Sequence, residues 1–392
     1  MKVMLVWELG AQLGHIGTLL PIADALADQG HEVVFALKDL SYARSLIGTR
    51  YPFFRAPRRT DKTQPGRHFE SFADILLHAG FDNTDVLKGL TSAWRALYAQ
   101  LRPDWVIYNH APVALFSARG LHFKKTCVGI GFEIPPGDIA FPRFRHWEPD
   151  TASSIAHRKH SHQQVVNNGN RAAQRLGMPI LDQLPEIFCA ADHKLTTFPQ
   201  LDHYPARSTA NYIGPIGGLG RHASVEKQDG ERWLFCYLWA RHRGNLELLK
   251  ALADRSDFKT LAVAPDLPSP SPDHQRHKNL ILTRLPIDLS ALSSWAELVV
   301  CQGNHGTAAC ALGQGIPLVN RPVTLEQAML AQRVEAAGAG TTLQEGVGPT
   351  EAAQHIADAF RQKAGRPGAS IIKAMAGSAE LKTGAALVAE LT

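Results

Sequence analysis

The chain has 392 residues, of which 45% are hydrophobic and 20% charged, and its formal net charge is +5. This length suits two domains of average size, and the composition is that of a globular protein. No apolar run reaches the roughly 18 residues of a membrane span, so we do not expect a transmembrane protein. No RNA- or DNA-binding signature is present, so we do not expect a nucleic-acid partner.

The amino terminus, MKVMLVWELG, begins at once with a strand-like pattern and carries no secretion signal. The five cysteines form no CxxC pair, and most of them lie in apolar or helix-like stretches, which indicates reduced thiols. We therefore expect a soluble, cytoplasmic protein. Basic residues are concentrated in segments 55–67 and 143–159. A solvated basic face is the common explanation, and weak peripheral contact with an anionic membrane or an acidic acceptor is the alternative.

The first half of the chain alternates between strand-like and helix-like patterns. The predicted order is strand 2–6, helix 18–29, strand 32–37, helix 84–101, strand 105–108, helix 113–119 and strand 126–130. This alternation is typical of a parallel, doubly wound sheet. The polar segment 150–176 is expected to be helical, and 198–220, rich in Pro and Gly, to be an interdomain linker.

A second alternation of the same kind follows the linker. Its predicted order is strand 233–238, helix 246–253, strands 259–263, 280–282 and 298–301, helix 307–312, strand 317–319 and helix 325–337. The low-complexity segment 265–277, PDLPSPSPDHQRH, is predicted to be an exposed loop. The sequence thus predicts an α/β protein with two Rossmann-like doubly wound domains. We expect ligands in a central cleft at the carboxyl ends of their strands.

The most informative motif is VVCQGNHGT, residues 299–307, a buried strand that turns through two glycines into a helix. Glycine permits a tight turn and the close approach of a ligand, and the amides at a helix start suit a diphosphate. A turn that uses glycine only for its geometry is the alternative. Glu326 and Gln327 begin the next helix, where a carboxylate beside an amide suits vicinal sugar hydroxyls. An acid in a first turn also favours its helix dipole without any ligand.

These residues resemble the C-terminal signature of bacterial family-1, UDP-glycosyltransferase-like enzymes, which have the GT-B fold. The motifs QGNHGT, ALGQGIP, PVTLEQ and GAG follow in the family's order at similar spacings over some forty residues. The resemblance implies an N-terminal acceptor-binding domain, 1–213, and a C-terminal nucleotide-sugar-binding domain, 214–375. It also implies a final helix, 376–392, that returns to the first domain.

The resemblance implies that one set of residues binds the donor. Gly306 and Thr307 would meet the diphosphate with His305 close by, Glu326 and Gln327 would hold the sugar, and Leu285 matches a loop that borders the base. The rest of the assigned set is Gly14, Gln302, Gly303 and Asn304.

The chain departs from the family's pattern at several of these positions. Gln302 stands where the family usually has a phosphate-binding His, and Asn304 replaces a Gly. Glu326 replaces an Asp, and Trp239 lies where many members have a Gly-Ser pair. Neither the base nor the sugar of the donor follows from these residues.

The loop after the first strand, GAQLGHIGTLLP, resembles the family's glycine–histidine loop. His15 then matches the base that deprotonates an acceptor hydroxyl, a task for which the pKa of imidazole is suited. In relatives an Asp at the end of a later strand orients this base, whereas the matching strand here ends in Asn109. An amide accepts the imidazole N–H but stabilises imidazolium less than a carboxylate does. Another acid, such as Glu8 or Glu133, is an alternative, and so is loss of catalysis.

The sequence contains no D-x-D motif and no His/Cys cluster with metal-ligand spacing. We therefore expect no metal and no cofactor other than the donor substrate. The predicted reaction is an inverting sugar transfer from a nucleotide-diphosphate sugar to a hydroxyl of a small-molecule or lipid acceptor. A catalytically silent nucleotide-sugar-binding protein and a nucleotide-sugar epimerase are the alternative functions. The acceptor and the oligomeric state do not follow from the sequence.

Overall fold

The computed structural model describes residues 1–10, 14–41, 43–60, 69–137, 142–216, 227–267, 274–362, 375 and 384–392. The chain divides into two compact units. The first comprises the described parts of 1–197 and 204–213 together with the C-terminal helix. The second comprises residues 198–203 and the described parts of 214–381.

The first unit is built on a six-stranded parallel sheet in the order β3-β2-β1-β4-β5-β6. The three central strands β1, β2 and β4 are nearly continuous apolar runs that are buried on both faces, as expected for a parallel sheet covered by helices. Their bounds are β1 Lys2–Trp7, β2 Glu32–Leu37, β3 Phe53–Arg55, β4 Trp105–Asn109, β5 Lys124–Gly129 and β6 Asp192–Leu195.

The helices of the first unit begin at recognisable signals. Asn83 caps the long helix α4 by accepting the N–H groups of Asp85 and Val86, and Pro112 occupies the first turn of α5. The C-terminal helix, Gly384–Leu391, packs against the helix Gly14–Asp28. The bounds are α1 Gly14–Asp28, α2 Ala43–Leu46, α3 Phe72–Leu76, a π-helical turn Leu77–Phe81, α4 Thr84–Leu101, α5 Pro112–Ser117, α6 Ala152–Arg175, α7 Glu186–Cys189 and α12 Gly384–Leu391.

The second unit contains a seven-stranded sheet in the order β13-β12-β11-β7-β8-β10-β9. All of its strand pairs are parallel except β10 with β9. Its strands are β7 Trp233–Tyr237, β8 Lys259–Val263, β9 His274–His277, β10 Leu280–Thr283, β11 Ala296–Cys301, β12 Leu318–Asn320 and β13 Gly340–Thr342. Its helices are α8 Asn245–Ala253, α9 His305–Gly313, α10 Leu325–Ala336 and α11 Pro349–Arg361, with 3-10 turns at Pro199–Leu201 and Leu292–Ser294.

These two sheets confirm the predicted fold class of two Rossmann-like, doubly wound domains. The prediction of a loop over 265–277 is wrong for the last four residues. Residues His274–His277 form an edge strand antiparallel to β10, and 268–273 lie outside the described residues. The polar composition of β9 resembles that of a loop because an edge strand is paired on one side only.

The predicted interdomain linker, 198–220, is in part packed structure. Residues 198–203 belong to the second unit and include a 3-10 turn, whereas 204–213 belong to the first. Ile213 donates its N–H to the carbonyl of Leu195 at the end of β6, which ties this segment to the first sheet. Residues 217–220 lie outside the described part of the chain.

Several described arginines of the two basic segments pair within the first unit. The Arg59 guanidinium lies 2.6 Å from the Asp82 carboxylate, and Arg158 lies 2.6 Å from Asp150. Arg143 donates to the carbonyl of Glu148. Internal pairing favours a structural role for these charges, so membrane contact stays a prediction. Within the part of the chain that the structure describes, no helix is both long and apolar enough to cross a membrane.

Candidate active site

The strand order of the first sheet places three chain segments side by side. Because β1, β4 and β5 are neighbours and parallel, their carboxyl ends meet at one edge, where the strand order reverses. Open α/β sheets bind ligands at such a switch point. His15 follows β1, Asn109 ends β4, and Glu133 lies in the turn after β5.

His15 occupies the first turn of α1. Its imidazole stacks on the indole of Trp7, the last residue of β1, with ring centroids 5.1 Å apart. Gly10 makes room for the ring, since a Cβ at this position would lie 2.1 Å from Nε2 of His15, and its φ of +80° also favours glycine. Residues 11–13 of the predicted glycine–histidine loop lie outside the described residues.

Asn109 and Glu133 both contact His15 at Nδ1. The distance from Nδ1 is 2.7 Å to Oδ1 of Asn109 and 3.3 Å to Oε1 of Glu133. The Asn109 amide nitrogen donates to the carbonyl of Val128 at 2.8 Å and to Oε2 of Glu133 at 3.1 Å. The prediction that His15 and Asn109 lie together therefore agrees with the geometry, although the catalytic role of both stays a prediction.

This network determines the tautomer of His15. The carbonyl of Val128 only accepts hydrogen bonds, so it fixes the Asn109 amide with its nitrogen toward Val128 and its oxygen toward His15. Nδ1 of His15 must then carry the hydrogen, which leaves the lone pair of the neutral ring on Nε2. Burial lowers the pKa of His15 to about 4, against the opposing effect of the Asn109 hydrogen bond. The ring is therefore a neutral proton acceptor at pH 7.

Of the two alternative acids, Glu133 contacts His15 and Glu8 is used elsewhere. Oε2 of the Glu8 carboxyl group accepts the N–H groups of Val113 and Ala114 at the start of α5, at 3.0 and 3.1 Å. Burial raises the pKa of Glu8 to about 8. Glu8 is thus a capping residue for α5.

His110, which the sequence indicated only as a loop residue, is part of this cluster. Its ring lies 5.9 Å from that of His15, it is 8% exposed, and burial lowers its pKa well below the usual value. Its backbone is left-handed, with φ of 46°, an unusual conformation for a non-glycine residue. The available sequence signal was its position directly after the last residue of a buried strand.

His15, His110 and Glu133 each offer an atom that can bind a metal, and these atoms lie within 4.8 Å of one another. The residues are far apart in sequence, so no spacing rule detects them. Two of the three are already joined through Nδ1 of His15 and the Glu133 carboxylate. A metal that used Nδ1 of His15 would have to displace that contact.

The second unit also places its predicted ligand residues at strand ends. Gln302 follows β11, and its Oε1 accepts the N–H of Trp239, just after the neighbouring strand β7, at 2.9 Å. Gly303 has φ of +83°, and a Cβ there would lie 2.8 Å from the carbonyl oxygen of Gln327. Glycine at 303 therefore allows the start of α9 to approach the start of α10, and these two predicted donor segments lie together.

Helix α9 begins at His305, where the predicted phosphate contacts lie. The first N–H groups of a helix have no acceptor within it, and a Cβ at Gly306 would meet only open space. Asn304 precedes the helix without capping it through its side chain. His305 is 8% exposed, and burial lowers its pKa to about 4 while Asp202 opposes this shift. Thr307 is buried in the same turn.

Glu326 and Gln327 differ in their environment although they are adjacent. Gln327 is largely buried, and its Oε1 accepts the N–H groups of Val323 and Thr324 at 2.9 and 3.2 Å, in a capping box that begins α10. That oxygen is therefore already engaged. Burial raises the pKa of Glu326 to about 7.

The remaining predicted donor residues are less distinctive. Gly14 is the first residue of α1, in the first unit and not in the second. Leu285 follows β10, and its N–H is bound by the hydroxyl of Thr283 at 3.1 Å. The sequence prediction did not include Asp266, whose carboxylate accepts the N–H groups of Ala240 and Arg241 and so shapes the loop after β7.

The comparisons with known proteins give a fold and no sequence family. No protein-family model matches the chain, and no curated protein matches it in sequence. Solved structures of glycosyltransferases match over nearly the whole chain. VinC in complex with dTDP is 15% identical with a TM-score of 0.67, covering 100% of this chain and 98% of its own.

Two further structures match in the same way. The spinosyn rhamnosyltransferase SpnG is 17% identical with a TM-score of 0.65, covering 100% of both chains. SsfS6, a glycosyltransferase of Streptomyces sp. SF2575, is 18% identical with a TM-score of 0.60, covering 99% of both chains. At this level of identity, the likeness confirms the GT-B fold that the sequence motifs predicted.

Proposed function

We propose that the protein is a glycosyltransferase that moves a sugar from a nucleotide-diphosphate sugar to an acceptor hydroxyl. The observation that carries the proposal is the neutral imidazole of His15, held at Nδ1 and with its lone pair on Nε2. It lies at the switch point of a sheet whose fold is similar to that of solved glycosyltransferases.

In the proposed reaction His15 acts as general base. Nε2 takes the proton of the acceptor hydroxyl, and the acceptor oxygen forms a bond with the anomeric carbon of the donor. The bond from that carbon to the diphosphate oxygen breaks, and its electron pair leaves with the nucleoside diphosphate. The single displacement inverts the configuration at the anomeric carbon.

The proposed donor site is the set of strand ends in the second unit. The N–H groups at the start of α9 bind the diphosphate and stabilise the charge that develops on it. Support comes from VinC, whose structure contains dTDP. Because helix amides supply this stabilisation, the proposed reaction needs no metal ion.

A silent nucleotide-sugar-binding protein is the second candidate, and the position of Asn109 favours it. An amide oxygen supports imidazolium less than a carboxylate does, and the pKa of His15, lowered by burial to about 4, makes it a weak base.

The experiment is a panel of nucleotide sugars incubated with the full chain and candidate hydroxyl acceptors in EDTA. Chromatography measures release of nucleoside diphosphate, NMR gives the anomeric configuration of the product, and calorimetry measures donor binding. Acceptor-dependent release with inversion supports the proposal. Donor binding without release supports the silent protein, and conversion of the donor sugar without acceptor supports an epimerase. Activity that EDTA abolishes and Mg²⁺ restores contradicts the metal-free mechanism.

A further inference from the structure

The acid nearest to His15 comes from a different strand than the resemblance implies. In the matched pattern, an acidic residue at position 109, at the end of β4, would orient the base. Here β4 ends in an amide, and the carboxylate of Glu133 comes from the turn after the next strand, β5. Glu133 lies 3.3 Å from Nδ1 of His15 and also accepts the Asn109 amide at 3.1 Å.

The local structure around Glu133 is suited to a carboxylate. A Cβ at Gly129 would lie 2.0 Å from Oε2 of Glu133, so the absence of a side chain at 129 makes this position available. The backbone N–H of Ile130 donates to the same oxygen at 3.1 Å. The side chains of Glu133 and His15 are only 10% and 11% exposed, so their interaction is weakly screened by solvent.

We propose that Glu133 is the acidic positioning residue of the His15 base. It acts directly at Nδ1, and it acts again through Asn109, whose amide passes a hydrogen bond from the imidazole to the carboxylate. This inference rests on the proposed function, in which His15 is the base of sugar transfer.

The chemical step assigns one task to the carboxylate. When Nε2 takes the acceptor proton, the ring becomes imidazolium while the hydrogen on Nδ1 stays in place. The Glu133 carboxylate stabilises this cation through its negative charge and does not itself become protonated, as is usual for an orienting carboxylate. The other titratable groups that face His15 are Lys38, which donates to the carbonyl of Gly10 and opposes imidazolium, and His110. Among these groups only Glu133 supplies a negative charge.

The test exchanges the acid between two strands. Glu133→Gln removes the charge at nearly constant shape, and we expect kcat to fall about 10- to 100-fold with unchanged donor affinity. The double variant Asn109→Asp with Glu133→Gln returns a carboxylate to Nδ1 from β4, and we expect it to regain most of the lost rate. Glu186→Gln is the matched control, since Glu186 also accepts backbone N–H groups in this unit but does not contact His15.

A second measurement does not depend on activity. NMR of protein labelled with ¹⁵N-histidine reports the tautomer of His15 and its Nδ1–H resonance, assigned with His15→Ala. We expect the Nδ1–H tautomer in the wild type, an upfield shift of that proton in Glu133→Gln, and its return in the double variant. The acid limb of the pH profile of kcat/KM should move to lower pH in Glu133→Gln.

The outcomes separate the two proposals. An unchanged Nδ1–H resonance in Glu133→Gln overturns the positioning role. If the wild type transfers sugar, full activity of Glu133→Gln overturns it as well. A shifted resonance in a protein that transfers to no acceptor supports the contact with Glu133 and overturns the proposed function. Loss of rate without rescue in the double variant, in a folded protein, also overturns the inference.

Discussion

The two candidate sites use the same feature of the fold in different ways. Both lie where strand order reverses in a parallel sheet, at β1 and β4 in the first unit and at β7 and β11 in the second. In the first, Asn109 is fully engaged, with its oxygen bound to His15 and its nitrogen to Val128 and Glu133.

In the second site several buried polar atoms have no hydrogen-bond partner among the residues that the structure describes. These atoms are Nε2 of Gln302, Oδ1 of Asn304 and Nε1 of Trp239. In the first site, Nε2 of His110 is likewise buried without a partner among the described residues. Burying such groups unpaired costs about 1–3 kcal/mol each, so each one needs an explanation. A cluster that holds one tautomer is ready for proton transfer, whereas unpaired donors and acceptors are suited to a polar ligand. The predictions below test this difference.

The largest effect is expected at the His15 cluster. His15→Ala should lower kcat about 10²–10⁴-fold, because the acceptor hydroxyl loses its base, while donor affinity measured by calorimetry stays within experimental error. His193→Ala is the matched control, since this half-buried histidine of β6 contacts the carbonyl of Phe188 and does not belong to the His15 cluster. An active His15→Ala enzyme contradicts the assignment of the base.

A steric change in the second unit should affect donor binding and leave the His15 cluster intact. Gly303→Ala places a methyl group 2.8 Å from the carbonyl oxygen of Gln327, in addition to the strain of a positive φ. We expect the starts of α9 and α10 to separate, with at least about tenfold weaker nucleoside-diphosphate binding and a loss of about 1–3 kcal/mol in stability.

The matched control for this variant is Gly315→Ala, just beyond the other end of α9. Its φ of +79° causes similar strain, but its Cβ would meet no atom within 4 Å. The affinity for dTDP or UDP, measured by calorimetry, should therefore fall in Gly303→Ala only. Equal affinities in the two variants contradict the idea that the approach of α9 to α10 forms the donor site.

A substitution of one unpaired atom should have an intermediate effect. Gln302→Glu keeps an acceptor for the N–H of Trp239 but replaces the unpaired Nε2 donor with a charged oxygen. We expect donor affinity to fall about tenfold, because a donor to the diphosphate is lost and charge repulsion is added. Gln302→His, the residue that the family resemblance implies, should bind at least as tightly as the wild type. Calorimetry measures the donor affinity. An affinity of Gln302→Glu equal to that of the wild type contradicts phosphate contact by residue 302.

The sequence predicted the repeated α/β pattern well because buried parallel strands are apolar runs with clear boundaries. The ends of β2 and β8 agree with the prediction residue for residue. The sequence did not predict β9 as a strand, because its residues, HQRH, show no apolar pattern. His15 and Asn109 were found from motifs, whereas the contact of Glu133 with both depends on the order β1-β4-β5, which no local pattern contains.

The smallest effect is expected at Glu326, where protonation should adjust affinity for the donor sugar. Burial raises the pKa of its carboxyl to about 7, so the group is protonated below that pH and charged above it. A charged acceptor binds a sugar hydroxyl more strongly than a neutral acid by about 1 kcal/mol, so donor affinity should rise roughly threefold between pH 6 and pH 8, where the carboxyl goes from mostly protonated to mostly charged. Calorimetry with a nucleotide sugar, whose diphosphate does not titrate there, measures this change. Glu326→Gln should abolish it, whereas Glu335→Gln, at the other end of α10, should keep it. A pH-independent affinity in the wild type contradicts sugar contact by Glu326.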